Sequence, residues 1–172
     1  ELLHMKREVT VEFKINESKA VKIAEKLLDL FYNRKGFFKN YSMPEYILPR
    51  NLVKGSREHA LYLTYVISID YMTDAEKLWR NSRGAYELYP ERFTPENIVK
   101  MGDRTLQAFV RKLGARYSTT GVSTWKKVST ILLNKYEGDP RNITRESLTV
   151  NEIKKRLKEF PYLRGNKLSN FY

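Results

Sequence analysis

The residues with the clearest capacity for chemistry lie in one short run near the carboxyl end, residues 163–167. A charged amphipathic segment ends at Pro161, and a new helix is expected to begin a few residues later. Gly165 stands just before that start, so backbone N–H groups can point outward without a Cβ in the way. Such a helix N-terminus binds anions, including nucleic-acid phosphates. Because Arg164 and Lys167 add positive charge, the run predicts a phosphate-binding turn.

Residues 160–169 resemble the helix-hairpin-helix element of the base-excision DNA glycosylases, whose pattern is roughly Leu-Pro-Gly-hydrophobic-Gly-x-Lys-x-Ala. Pro161, Gly165 and Lys167 fit this pattern, and a small residue follows at its end. Tyr162 stands where the family has its first Gly, and the hairpin is one residue longer. The resemblance implies that backbone amides here hold a DNA phosphate. The residues implied for DNA contact are Tyr162, Leu163, Arg164, Gly165 and Asn166.

In bifunctional members of that family the hairpin lysine attacks the sugar C1′, and Lys167 falls on its position. Such an attack, with displacement of the base and formation of a Schiff base, requires an amine that is neutral part of the time. Burial and a neighbouring cation such as Arg164 would lower the lysine pKa. Two other interpretations stay open, a phosphate contact and an ordinary solvated lysine, since the chain holds 32 Lys plus Arg.

The family also uses a carboxylate, usually Asp, downstream of the hairpin lysine to activate water or steady the sugar cation. This chain ends at Tyr172, before that position. Three expectations follow: the Asp lies on a missing carboxyl-terminal piece, or another carboxylate serves, or the chain is no glycosylase.

A second chemical candidate is the run 67–74, Ile-Ser-Ile-Asp-Tyr-Met-Thr-Asp. It resembles the helix–loop–helix that borders the target pocket in the glycosylases and often ends in Thr-Asp. The family's frequent Gln is absent, and Asp70 or Tyr71 stands near its place. The resemblance therefore implies a base pocket near Asp70, Tyr71 and Trp125. The residue types alone also allow Trp125 to be a core residue and Asp74 to be a helix cap.

Composition limits the classes of function. The 172 residues carry a net charge of +12, which predicts attraction to nucleic acid or another acidic surface. With no cysteine, disulfides, thiol catalysis and an iron–sulfur cluster are excluded, and with two histidines a zinc site is not expected. We therefore predict no metal and no cofactor. Since no signal peptide or membrane span is visible, we expect a cytoplasmic protein, nucleoid-associated if it binds DNA.

The elements that must position these residues are mostly helical. Apolar spacing and caps predict a helix over residues 18–31, another after Ser56, and later helices at a Thr73–Glu76 capping box, Thr94-Pro95, Asp103, Ser123 and a Thr149–Glu152 capping box. Residues 9–15 alternate with a period of two and predict a strand or extended arm. The fold class is thus mostly α, a multi-helix domain of helix-hairpin-helix glycosylase type with a short N-terminal strand or arm.

Three segments are expected along the chain. Residues 1–5 read as an expression remnant, 6–55 as an arm, a helix and a connector, and 56–172 as a helical domain ending in the partial hairpin. The first functional hypothesis is a DNA glycosylase with possible AP-lyase activity, acting on double-stranded DNA. The second is a non-catalytic DNA-binding module. The third is an RNA-binding or protein-interaction domain whose arm adds a strand to a partner. The oligomeric state stays open.

Overall fold

The computed structural model describes residues 16–39, 46–145 and 149–161. The chain forms two compact units, residues 1–42 and 43–172. All regular elements within the described residues are helical, so the prediction of a mostly α protein is confirmed at that level. The predicted strand over residues 9–15 and the hairpin after Pro161 lie outside the described residues.

In the first unit, helix α1 spans Glu17–Tyr32, close to the predicted range. The Asn16 side chain caps it by accepting a 3.0 Å hydrogen bond from the Lys19 amide. After the helix, the chain makes a short 3₁₀ turn over Gly36–Phe38, where the Phe38 ring meets Phe31 edge-on at 5.5 Å. No side chain of α1 is buried.

The second unit contains six α-helices within its described residues. They are α2 (Arg57–Ile69), α3 (Ala75–Leu88), α4 (Pro95–Lys100), α5 (Asp103–Leu113), α6 (Ser118–Lys135) and α7 (Val150–Leu157). A 3₁₀ turn over Pro90–Phe93 connects α3 to α4, and a second over Pro140–Ile143 follows α6.

Side-chain caps begin α2, α3 and α7, whereas α4, α5 and α6 begin without one. Ser56 Oγ accepts from the His59 amide at 3.1 Å, and Thr149 forms the predicted capping box with Glu152. At α3 the cap is Asp74, as its residue type allows, while Thr73 does not form the predicted capping box with Glu76, since its Oγ1 donates to the Gly114 carbonyl. That 2.7 Å bond fixes the start of α3 to the end of α5.

The predicted start of α6 at Ser123 is wrong, because the helix already begins at Ser118. No side chain caps this end, so the local sequence carries no start signal. Packing decides it instead: a Cβ on Gly121 would lie 2.8 Å from Val110 Cγ1 and 3.2 Å from Ile69 Cγ2. Glycine at this position therefore lets α6 pass close to α5 and α2.

Helix α6 organises the core of the second unit, since α2, α4 and α5 all pack on it. The core is strongly aromatic, and the Trp125 ring centroid lies 4.9 Å from that of Tyr65 and 5.7 Å from that of Phe93. Aromatic pairs at such spacing add about 0.5–1.5 kcal/mol beyond the area that they bury. The largest fully buried side chains are Trp79, Trp125, Tyr62, Tyr65, Phe93 and Phe160.

Candidate nucleic-acid interface

The hairpin predicted from the sequence follows directly on the last described residue, Pro161. Its proposed DNA contacts, and the candidate nucleophile Lys167, lie outside the described residues. These are Tyr162, Leu163, Arg164, Gly165, Asn166 and Lys167. The described chain therefore shows how the segment leading to this run is anchored.

Helix α7 and its C-terminal turn are held firmly against the rest of the unit. Phe160 is buried and stacks on Tyr136, with ring centroids 5.9 Å apart. Arg156 Nη1 donates to the Asn142 and Ile143 carbonyls at 3.3 and 3.2 Å, which joins α7 to the preceding 3₁₀ turn. Phe160 is thus fixed in the core, and Pro161 follows it as the last described residue.

Pro161 borders a small surface cleft at the N-terminus of α6, which we call the tyrosine cleft. Its volume is about 150 Å³. It is lined by Ser68, Ile69, Tyr71, Tyr117, Thr120, Gly121, Thr124 and Pro161. The structure thus brings Tyr71, a predicted pocket residue, to the same cleft as the proline that opens the predicted hairpin.

Two exposed tyrosine rings give the cleft its chemistry. Tyr71 is 52% exposed and Tyr117 47% exposed, and their ring centroids lie 6.3 Å apart. An exposed ring of this kind can stack on a nucleobase without regard to its identity. Met72, which follows Tyr71, adopts a positive φ of 51° and is itself largely exposed.

Positive charge adjoins the two rings. The Arg116 guanidinium lies 5.7 Å from the centre of the Tyr117 ring, and its Nη1 approaches the Met72 carbonyl at 3.5 Å. Helix α6 starts with no side-chain cap and no acidic residue in its first turn. The positive end of its dipole, together with Arg116, favours a phosphate at this edge of the cleft.

Asp70 has a different role from a pocket lining. It ends α2, and its Oδ2 accepts a 2.8 Å hydrogen bond from Trp79 Nε1. It is not among the residues that line the tyrosine cleft. In this structure Asp70 satisfies a buried indole and holds the turn between α2 and α3.

Trp125 is also away from the cleft surface. Its side chain is fully buried, and Nε1 donates to the Tyr65 carbonyl at 3.0 Å. Because no part of the ring is exposed, Trp125 does not present a stacking surface. It is a core residue in this structure.

Sequence reasoning missed Tyr117 and Arg116 as companions of Tyr71. It treated residues 114–122 as a break between two helices, whereas α6 begins inside that stretch. An adjacent Arg-Tyr pair followed by Ser-Thr-Thr is the signal that was present in the sequence. Only the packing of α6 on α2 shows that Tyr117 meets Tyr71.

The described residues hold no group of three His, Asp or Glu side chains arranged to bind a metal ion. No helix among them is both long and apolar enough to traverse a bilayer. Comparison with known proteins found no matching family model, no matching curated sequence and no matching solved structure.

Proposed function

We propose that this protein binds duplex DNA, with the tyrosine cleft receiving a base that has left the stack. The observation that carries the proposal is the joining of two exposed tyrosines, Arg116 and the uncapped start of α6 at one cleft. Stacking rings and a phosphate-binding helix end are the two features that a displaced nucleotide needs.

The overall charge supports the same partner. A net charge of +12 gives a long-range attraction to any polyanion, and neutralised phosphates release counterions on binding. Phosphate contacts do not distinguish one DNA sequence from another. The charge therefore accounts for affinity, and the cleft for a preference for an unstacked base.

Binding to a labelled duplex with one mismatched base tests the cleft directly. Tyr71→Ala and Tyr117→Ala should each weaken binding by about ten-fold, because one base stack contributes roughly 1–3 kcal/mol. The corresponding Phe variants should bind like the wild type, since they keep the ring. Tyr89→Ala serves as the matched control, because Tyr89 is an exposed tyrosine that does not line the cleft. Unchanged binding by both cleft variants would remove the cleft from the interface.

The finer proposal is base excision, and it rests on the resemblance of residues 160–169 to the glycosylase hairpin. In this reaction the Lys167 amine attacks C1′ of the sugar, the base leaves, and a Schiff base joins the protein to the DNA. The hairpin would follow Pro161, which lines the cleft that holds Tyr71.

Borohydride trapping on abasic duplex DNA tests base excision separately from binding. The full-length gene product should form a covalent adduct, and Lys167→Ala should not, while Lys158→Ala should still form it. If no adduct forms while binding persists, the protein is a non-catalytic DNA-binding module. If Lys167→Ala still forms the adduct, the lysine assignment is wrong.

A further inference from the structure

A second surface feature lies between α3 and α5, and we call it the α3–α5 groove. Its volume is about 310 Å³. The residues lining it are Arg80, Asn81, Gly84, Ala85, Leu88, Tyr89, Arg92, Phe109, Lys112 and Leu113. The floor is apolar, and Leu88 is left 71% exposed at its edge. A hydrophobic side chain this exposed beside a concave apolar floor marks a surface suited to a partner.

Gly84 gives this groove an unusual helix wall. It lies in the middle of α3, where glycine costs roughly 1 kcal/mol relative to alanine. A Cβ at this position would meet no atom within 4 Å, so packing inside the chain gives no reason for glycine here. Close approach of an outside backbone or side chain is the other physical reason for a glycine on a helix face.

The rim of the groove is cationic. Arg80, Arg92 and Lys112 line it, and no acidic residue does. Arg80 is paired with Glu76, but Arg92 and Lys112 make no ion pair among the residues that the structure describes. The groove therefore combines an apolar floor with two cations that lack a carboxylate partner.

Arg92 is held in position before any partner arrives. Its guanidinium lies 4.4 Å from the centre of the Tyr89 ring and 5.2 Å from that of Phe109. A planar guanidinium fixed against rings is prepared for a bidentate bond to a carboxylate, and less entropy is lost when that bond forms.

We propose that the α3–α5 groove binds an amphipathic helix of a partner protein, whose apolar residues enter the floor and whose acidic residues meet Arg92 and Lys112. A groove between two helices fits the helix-in-groove mode of recognition. The apolar floor beside two cations fits a peptide that presents apolar side chains next to carboxylates. This proposal does not depend on DNA binding at the tyrosine cleft.

The probe is a synthetic amphipathic helix that carries Leu and Phe at i, i+4 spacing and Glu at the flanking positions. Amide chemical shifts of the ¹⁵N-labelled protein should change at Gly84, Ala85 and Leu113 when it is added. A peptide of the same apolar pattern with Lys in place of Glu should bind about ten-fold more weakly or worse. Equal binding of the two peptides, no binding of the acidic one, or shift changes confined to another surface would overturn the proposal.

Gly84→Met separates binding from folding. It fills the groove and replaces a mid-helix glycine, so the protein should become more stable while the acidic peptide binds at least about ten-fold more weakly. Lys112→Glu should also weaken the peptide, whereas Arg111→Glu, the adjacent residue that does not line the groove, should not. Neither Gly84→Met nor Lys112→Glu should abolish the stacking-dependent duplex binding. If duplex DNA changes the Gly84 and Leu113 amide shifts and the acidic peptide does not, the groove belongs to the nucleic-acid interface and the proposal fails.

Discussion

Trp79 Nε1 donates a 2.8 Å hydrogen bond to Asp70 Oδ2, and this bond joins the end of α2 to the second turn of α3. Trp79 is fully buried, so its indole N–H has no access to water and depends on this acceptor. The carboxylate, which the sequence places beside Tyr71 as a pocket residue, is thereby tied to the fold. Tyr71, the next residue, remains exposed at the tyrosine cleft.

Replacing the carboxylate tests this role. Asp70→Ala leaves the Trp79 N–H without a partner and should lower the free energy of unfolding by about 2 kcal/mol. Asp70→Asn keeps an acceptor oxygen and should cost about half as much. Urea denaturation of the two variants checks the order. Equal, negligible losses would mean that the bond contributes nothing to stability.

Two glycines should respond to alanine in opposite directions. Gly121→Ala places a Cβ 2.8 Å from Val110 Cγ1 and should destabilise the protein by about 1–3 kcal/mol. Gly84→Ala meets no atom within 4 Å and should stabilise it by about 1 kcal/mol through helix propensity. Thermal unfolding of both variants measures these changes, and equal losses at Gly84 and Gly121 would contradict the open space at Gly84 and the close packing at Gly121.

Two buried serines provide a similar contrast. Ser82 Oγ is buried with no hydrogen-bond partner among the described residues, whereas Ser129 Oγ lies 2.7 Å from both the Tyr65 hydroxyl and the Trp125 carbonyl. Ser82→Ala removes an unsatisfied group and should raise the free energy of unfolding by about 1 kcal/mol. Ser129→Ala removes the hydrogen bond between Ser129 Oγ and the Tyr65 hydroxyl and should lower the free energy of unfolding by about 1 kcal/mol. Denaturant unfolding measures both values, and a less stable Ser82→Ala than Ser129→Ala variant would contradict the hydrogen bonding described for the two serines.

Acid should weaken the turn after α6. Hydrogen bonds from the Arg141 side chain hold the pKa of Asp139 below its usual value, and the closest contact is 2.6 Å from Nη2 to Oδ2. Since the folded pKa lies below the unfolded value of about 3.9, this stabilisation is full above that pH and is lost as pH falls through the folded pKa. Asp139→Asn should therefore cost about 1–2 kcal/mol at neutral pH and much less near pH 3. The free energy of unfolding of the wild type and of Asp139→Asn, measured against pH, checks this prediction. A difference between them that stays constant down to pH 3 would contradict it.

The sequence predicts the fold well where local signals are strong. Ser56, Asp74 and the Thr149–Glu152 box cap helices because each has a side-chain oxygen within reach of a free backbone amide. It fails at α6, whose first turn has no cap and whose position is set by contact of Gly121 with α5 and α2. Local rules cannot detect such packing between distant segments.

The candidate site was predictable only in part. Tyr71 could be singled out from its place in the run 67–74, but its pairing with Tyr117 depends on a contact between residues far apart in sequence. Trp125 and Asp70 have residue types that suit a pocket, yet their indole and carboxylate bond to neighbours inside the fold. Spacing along a chain does not distinguish an exposed ring from a buried one.

The salt dependence of duplex binding is the decisive test of whether this protein binds DNA. If the protein neutralises several DNA phosphates, the logarithm of the binding constant should fall linearly with the logarithm of salt concentration, with a slope of about −3 or steeper. Tyr71→Ala and Tyr117→Ala should lower affinity at every salt concentration without changing that slope, because stacking releases no counterions. A flat salt response, or no measurable affinity at low salt, would contradict the proposal that this protein binds DNA.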